Sequence, residues 1–300
     1  TVPLVWLNAF TFYLYLPAYP ILVSATWTRR WWLAMASAVA VACHLTWVLP
    51  DFRPATPYVP PNTATADLSP PLKIFYSNVR GGSNLEMDAV LAEALRDDPD
   101  VIVLVEVQPD WWRRMIDQNP LKAYPFGTDM LHRNAGDIGV FSRLPVRRVE
   151  PIRAENRTIL ALDIWCGTES LRLFALHSPR PMFQVNDNYF KFWQKVEQVV
   201  AELRGPSVVI GDFNATQHSR VYERLESEGL RSAHEDRGRG YVTTWPNRQH
   251  PIPPIRIDQA FLSPEVECVS IEEGVGPGSD HKPLLLELRL HGPSPTSPAR

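Results

Sequence analysis

Six strand-like runs in this 300-residue chain end in, or carry, a polar residue that strand propensity does not favour. "KIFYSN" ends at Asn78, "VIVLVE" at Glu106, "LRLFALH" at His177, and "VVIGDFN" at Asp212 and Asn214. "RIDQAFL" holds Asp258 inside its apolar run, and "GPGSDHKPLLLEL" sets Ser279, Asp280 and His281 just ahead of its apolar stretch. Each has an ordinary reading taken singly. Asn and Asp end strands and open turns, Glu106 suits a satisfied half-buried carboxylate, His177 a hydrogen-bonded structural histidine, and Asp280 a turn cap. Together they bring acids, amides and imidazoles repeatedly to strand ends, where α/β proteins build their sites. Glu106, Asp212 and Asp280, with the amides of Asn78 and Asn214, are hard oxygen ligands suited to Mg²⁺ or Mn²⁺ rather than zinc. Two histidines with no cysteine nearby suit proton transfer and phosphate contact. A carboxylate-held Mg²⁺ beside an imidazole–carboxylate pair is chemistry for attack of water on phosphorus.

The elements that must position these residues begin at Leu72. "LKIFYS" alternates as a strand does, and "LEMDAVLAEALRDD" places Val90, Leu91, Ala94 and Leu95 on one helical face. "DVIVLVEV" is a continuous apolar run, fitting a strand buried on both sides. "GDIGVFS", "TILALDIW", "SLRLFALHS", "SVVIGD", "IRIDQAFL", "VECVSI" and "PLLLELRL" read as further strands. Residues 184–204 read as a long helix with Phe192, Trp193, Val196, Val200 and Leu203 on its inner side. Many strands with few helices imply sheets covered by helices on the outside. The pattern leaves open whether there is one sheet or two, and shows no internal repeat. In "SVVIGDFNAT", Gly211 allows close approach and a turn. Phe213 can point to the core, and strand alternation puts Asp212 and Asn214 on one side. The three cysteines, Cys43, Cys166 and Cys268, include no CxxC pair, so neither a disulfide framework nor a zinc site follows; a Cys166–Cys268 bridge is a minor alternative.

The first 50 residues are of another kind. Residues 2–28 contain no Asp, Glu, Lys or Arg; Arg29 and Arg30 follow, and residues 31–49 again carry no formal charge. Each stretch approaches the roughly 20 apolar residues that span a bilayer. Pro17 and Pro20 would kink the first helix, and Trp27, Trp31, Trp32 and Trp47 lie where interfacial aromatics sit. A signal peptide or a buried core hairpin is the competing reading, but one signal sequence does not explain two apolar spans around an Arg pair. The expectation is two membrane helices in 1–50, with His44 facing the bundle. A Pro-rich linker would follow in 51–71, then a catalytic domain in 72–290 and a disordered tail in 291–300. By the positive-inside rule the Arg pair faces the cytoplasm, which makes the chain a multi-pass protein of the cell membrane with its catalytic domain extracytoplasmic. The start at Thr1 and an outward N-terminus suggest a fragment lacking an earlier helix.

"YSNVRGG", "DVIVLVEV", "GDFNAT", "RIDQAFL" and "GSDHKPLLLEL", in this order, resemble the endonuclease/exonuclease/phosphatase superfamily across residues 72–290. The layout of a membrane hairpin ahead of such a domain resembles the VanJ-type membrane proteins associated with glycopeptide resistance. The resemblance implies an α/β fold, a four-layer α/β/β/α sandwich of two mainly antiparallel sheets, here preceded by a transmembrane helical hairpin. It also implies roles. Glu106 matches the metal-binding Glu, with Asn78 beside it and Asp280 as a second carboxylate near the metal. Asp212 matches the Asp that positions or deprotonates water, and Asn214 the amide that holds phosphate or water. His281 matches the essential histidine, Asp258 the Asp that orients it, and His177 the histidine of a "THL"-like strand end. Two departures stand out: Val105 replaces the usual Gln before Glu106, and the "THL" element is Leu176-His177-Ser178.

These readings combine into a membrane-anchored, Mg²⁺-dependent phosphoesterase. Outside residues 1–70 there are 27 Lys and Arg against 31 Asp and Glu, so the soluble part lacks the positive charge that a polyanion-binding nuclease normally carries. The basic groups around Arg147-Arg148 and Arg231–Arg239 read as solvated surface. The expected substrate is a phospholipid or polyprenyl (di)phosphate. Trp111, Trp112 and Trp245 are set between lipid contact and core or rim packing. An extracytoplasmic nuclease or nucleotide phosphodiesterase is the alternative within hydrolases, and a non-catalytic scaffold the alternative outside them. No protein partner is inferred.

Overall fold

The computed structural model describes residues 2–53, 71–127, 136–167, 169–181, 186–248 and 250–291. Most of the expected linker and nearly all of the expected tail lie outside the described residues. Two sheets of six strands each form the catalytic part. The first has the order β11 (Val266–Glu273), β12 (Leu284–Leu290), β1 (Leu72–Asn78), β2 (Val101–Val105), β4 (Gly139–Ser142), β3 (Phe126–Gly127). The second has β5 (Val146–Ala154), β6 (Arg157–Cys166), β7 (Glu169–His177), β8 (Ser207–Asp212), β10 (Asp258–Leu262), β9 (Arg231–Ser232). The pairs β1–β2 and β7–β8 are parallel and every other neighbour pair is antiparallel.

The two sheets share one plan, which the sequence pattern does not reveal. In each, a central parallel pair is joined through a helix: α5 (Met87–Arg96) links β1 to β2, and α7 (Asn186–Ala201) links β7 to β8. Each half ends in a hairpin that pairs with the other half's sheet: β5–β6 adds to β7, and β11–β12 adds to β1. The halves are thereby interlocked. No residue repeat marks this, because packing needs only the same apolar rhythm.

Alternation along the strands produces four layers. Ile74 and Tyr76 of β1, Val101 and Val103 of β2, Leu173 and Ala175 of β7, Val208 and Ile210 of β8, and Ala260 of β10 fill the space between the sheets. The intervening residues face outward. Phe75, Ile102 and Leu104 pack on α5 and on α6 (Pro109–Gln118), and Phe174, Val209 and Phe261 pack on α7 and α8 (Arg220–Ser227). Trp111 and Trp112 belong to the α6 layer and are buried, so of their two expected settings the structure selects core packing. Cys166 and Cys268 are free thiols, and no bridge forms.

The apolar N-terminal region folds as α1 (Val2–Ala9), α2 (Thr11–Tyr15), α3 (Ala18–Trp27) and α4 (Trp31–Val48). Trp31–Phe52 is long and apolar enough to cross a membrane. Residues 2–28 do not make one straight span: Pro3–Ala9 and Thr11–Trp27 meet at 73°. The sharp bend falls at Phe10, not at the prolines. Pro17 precedes α3, at a helix start where a missing N–H leaves no bond unmade. His44 is buried as expected, 2.9 Å from the Tyr19 hydroxyl and stacked on Tyr15.

A second buried cluster lies away from the strand-end residues. His234, on the short helix α9 (Ala233–Asp236), is fully buried, with Nε2 3.3 Å from Glu273. Burial, reinforced by the charge of Arg256, pushes its imidazole from 6.5 down to about 4, against the pull of Glu273. Between these pH values the unfolded chain binds the extra proton, so stability rises with pH across the window and is lost on descending through it. The expected loss from pH 6.5 to 4 is of order 3 kcal/mol from this group. Urea midpoints measured across that range should fall for the native chain and flatten for His234→Gln.

Candidate active site

Parity explains why the polar residues converge. Asn78 continues the inward series Ile74, Tyr76; His177 continues Leu173, Ala175; Asp212 continues Val208, Ile210; and Asp258 leads into Ala260, Leu262. Each faces the space between the sheets at the end where the apolar core stops. The parallel register sets Asn78 opposite Val105 and His177 opposite Asp212. The antiparallel register sets Asp258 opposite Asp212. Gly211 makes the parallel pairing of β7 with β8 feasible: a Cβ there would lie 1.9 Å from the Leu176 carbonyl oxygen. The close approach at Gly211 is therefore as expected. The turn falls later, at Asn214 with φ 45°.

Asp212 is almost completely buried. One carboxylate oxygen accepts the backbone N–H of Asn214 at 2.9 Å, and the other accepts the Asn78 amide at 3.2 Å. Burial raises its pKa, an effect that the charge of His281 opposes. His281 donates from Nδ1 to Asp258 at 2.8 Å, leaving Nε2 3.9 Å from Asp212. Burial works against a charge on His281, but the carboxylates of Asp258, Asp212 and Asp280 outweigh it and raise the imidazole to about 9. These carboxylates favour the protonated ring. The second oxygen of Asp258 accepts the Tyr76 hydroxyl at 2.8 Å, and burial keeps that phenol protonated. Ser279 donates to the Asn78 carbonyl at 2.6 Å and accepts the His281 N–H at 3.0 Å, which ties the histidine loop to β1.

Glu106 follows β2 in the left-handed region, at φ 60°, a conformation unusual for a non-glycine residue and met at sites that hold a side chain in place. Its carboxylate lies 3.3 Å from the Asn78 amide, 3.5 Å from His177 Nε2 and 3.4 Å from Arg180. His177 donates from Nδ1 to Asp137 at 2.6 Å. Burial opposes the charge of Asp137, yet His177 and Arg157 hold its carboxyl below the usual range. The other nitrogen, Nε2, is buried with no hydrogen-bond partner. It points between Glu106 and Asp212, 3.9 Å from the latter.

Seven of the eight expected site residues meet here, and Asp280 lies at the rim. Its carboxylate faces Arg80 at 3.5 Å and the Trp245 indole at 3.2 Å, outside the groups whose donor atoms converge. The loop carrying it is committed to seating His281, the next residue, and successive side chains point apart. Asn214 reaches the site by a route other than alternation. β8 ends at Asp212, and the Asn214 amide donates to the Ser178 carbonyl at 3.1 Å. Asn78 presents its NH₂ to the two carboxylates, while its oxygen accepts the Arg80 N–H. Sequence reasoning missed Asp137, Tyr76 and Arg180. A signal existed for Tyr76, which shares the parity of Asn78, and for Asp137, the one acid in "GDIGVFS".

The donor set fits a divalent cation. Glu106, His177 and Asp212 each offer an atom within 4.8 Å of the others, and His177 Nε2 lacks any other partner. Oxygen and imidazole donors without thiolate suit a hard or borderline ion. A buried acid and imidazole centre of this make-up, at one end of a two-sheet sandwich, is that of a metal-dependent phosphoric ester hydrolase. The chain belongs to the endonuclease/exonuclease/phosphatase family, whose sequence profile matches residues 76–281.

Solved structures show the same fold at low identity. TDP2 of D. rerio, complexed with a single-strand DNA product, is 19% identical with a TM-score of 0.61, covering 73% of this chain and 98% of that one. An endonuclease/exonuclease/phosphatase from Beutenbergia cavernae is 19% identical with a TM-score of 0.56, covering 76% and 74%. Sphingomyelinase C from Streptomyces griseocarneus is 13% identical with a TM-score of 0.57, covering 73% and 99%. A search of curated proteins by sequence found no match.

Proposed function

We propose that this chain is a membrane-anchored, Mg²⁺-dependent phosphoesterase with an extracytoplasmic active site that hydrolyses the phosphate ester or diphosphate of a membrane lipid or polyprenyl carrier. The observation that carries this reading is the direct seating of the apolar helices on the catalytic domain. Tyr13 donates its hydroxyl to the Pro254 carbonyl at 2.6 Å, Gly240 N–H donates to the Asp51 carbonyl at 2.7 Å, and the rings of Phe12 and Tyr241 lie 4.0 Å apart. Arg29 and Arg30 sit at the turn between α3 and α4, away from these contacts. With α4 as one span and the bent first stretch as the other, the positive-inside rule places the domain outside. This layout resembles that of the VanJ-type membrane proteins, the subgroup we propose for the chain.

The roles proposed are those the family resemblance implies, and the geometry supports them. Glu106, His177 and Asp212 would hold the ion; Asn78, expected beside it as a ligand, instead donates its NH₂ to the carboxylates of Glu106 and Asp212 and steadies them, and Asp280 stays at the rim. The ion would supply charge withdrawal from a phosphoryl oxygen. Asp212 and Asn214 position the attacking water. His281, oriented by Asp258 and charged at neutral pH, neutralises the phosphoryl oxygens. Asp137 fixes the tautomer of His177, leaving Nε2 facing Glu106 and Asp212 as a donor for the ion.

Surface charge supports a lipid over a nucleic acid. Arg148 pairs with Glu150 at 2.9 Å, Arg231 with Asp236 at 2.9 Å, and Arg239 with Glu273, so the basic clusters are largely neutralised. The test compares Mg²⁺-dependent release from polyprenyl diphosphate, sphingomyelin, glycerophospholipid and DNA by the full chain in vesicles, with Asp212→Ala as control. Lipid turnover is expected to exceed DNA cleavage. The reverse order would reassign the chain as a nuclease.

A further inference from the structure

The bend at Phe10 has an effect that anchoring alone does not require. It turns α1 across the mouth of the catalytic site. The Trp6 indole donates to the Pro181 carbonyl at 2.9 Å, one residue from Arg180, which contacts Glu106. Behind this contact lies a cavity of about 260 Å³. Val5, Trp6 and Ala9 of α1 form one wall of it, and Ile255 and Ile257 are among the apolar residues of the domain that face it. Asn214 and His281 of the catalytic centre also line it, with Asp280 from the rim. The membrane segment thus completes a pocket whose polar end is the catalytic centre.

We infer that α1 is the substrate-selecting wall of this enzyme. It receives the first, headgroup-proximal part of a lipid's apolar portion while the phosphoester lies on His281 and Asn214. The inference rests on the lipid reading given above. Three observations commit the pocket to a lipid. The wall is continuous with an apolar run that has no charged residue from 2 to 28. The opposite face of α1 leaves Leu4 and Leu7 more than half exposed, as suits a helix with acyl chains beside it. The angle of 73° to Thr11–Trp27 lays α1 close to the membrane plane when that segment crosses the bilayer. The volume sets how much enters. Pockets that enclose a whole drug-sized ligand run from about 300 to 1,000 Å³. This cavity takes the segment next to the phosphate and leaves the rest of the chain in the bilayer. A water-soluble phosphodiester gains nothing from the α1 wall.

The test uses the full chain in mixed vesicles and two substrates: a long-chain phospholipid, and bis(p-nitrophenyl) phosphate, which reports on the chemistry without an acyl chain. Trp6→Ala removes the aromatic wall, and Ala9→Trp fills the cavity from the same helix. Both are expected to lower kcat/KM for the long-chain lipid by about tenfold or more, mainly through KM, and to leave the soluble diester within about twofold. Retained soluble activity also establishes that each variant is folded. Equal losses on both substrates, or unchanged lipid turnover in both variants, would overturn the role of α1. If the unaltered chain cleaves the soluble diester but no lipid, the lipid reading itself fails, an outcome distinct from the failure of α1.

Discussion

Asp212→Ala and His281→Ala are each expected to lower phosphodiester turnover by on the order of 10²-fold or more while the chain stays folded. Asp212 is the one carboxylate shared by every part of the site. It accepts from Asn78 and Asn214 and faces the free nitrogens of both His177 and His281. Its burial disfavours the charged form, so the fold bears a cost for keeping a carboxylate there, and removing it relieves that cost. The backbone pairing of β8 with β7 and β10 is untouched by the substitution. Asp212→Asn sharpens the test. The amide oxygen can still accept the Asn214 N–H, while the charge, the ability to take a proton and the hydrogen bond from the Asn78 NH₂ are lost. His281→Ala removes the imidazole proposed to neutralise the phosphoryl group and leaves Asp258 hydrogen-bonded to Tyr76. Turnover assays run beside thermal melts check both variants. Wild-type rates with unchanged melting would remove Asp212 and His281 from the catalytic set.

Chelation of divalent ions is expected to abolish turnover, and Mg²⁺ to restore it. The physical reason is the charge balance at the end of the inter-sheet core. Glu106, Asp212 and Asp258 bring three carboxylates together, and the substrate adds a phosphoryl group. Against these stand the His281 imidazolium and Arg180, whose side chain is 60% exposed and so acts through water. A cation beside Glu106 restores the balance and uses the unpartnered Nε2 of His177. Binding to the folded chain also stabilises it by mass action, by about 2.7 kcal/mol at a hundred times Kd. The melting temperature should therefore rise with Mg²⁺ in the native chain and stay level in Glu106→Gln. Full activity in excess chelator would refute the metal requirement.

Much of the site was legible because strand alternation is local. Ile74-x-Tyr76-x-Asn78 and Val208-x-Ile210-x-Asp212 state in sequence that a polar residue ends an inward-facing apolar series. Asp137 and Tyr76 each carried a local signal, but nothing local names what they bond to, because their partners are remote. Asp137 meets His177 across 40 positions, and Tyr76 meets Asp258 across 182. Asp280 shows the opposite limit. Its residue type and neighbourhood suit a metal ligand, but the loop that aims His281 inward turns the adjacent side chain toward Arg80 and Trp245.

By itself, then, the sequence determined which residues are polar at strand ends, that two families of apolar strand residues face opposite sides, and that the first 50 residues are lipophilic. These are properties of composition and period along a few consecutive residues. Only the tertiary structure decided that the hairpins cross between halves, that seven of eight site residues share one buried centre, and that α1 folds back over it. Those outcomes depend on which surfaces pack against one another at long range. A bend at a single residue, Phe10, is enough to turn an apolar span into a wall of the site, and no periodicity in the sequence records where that bend points.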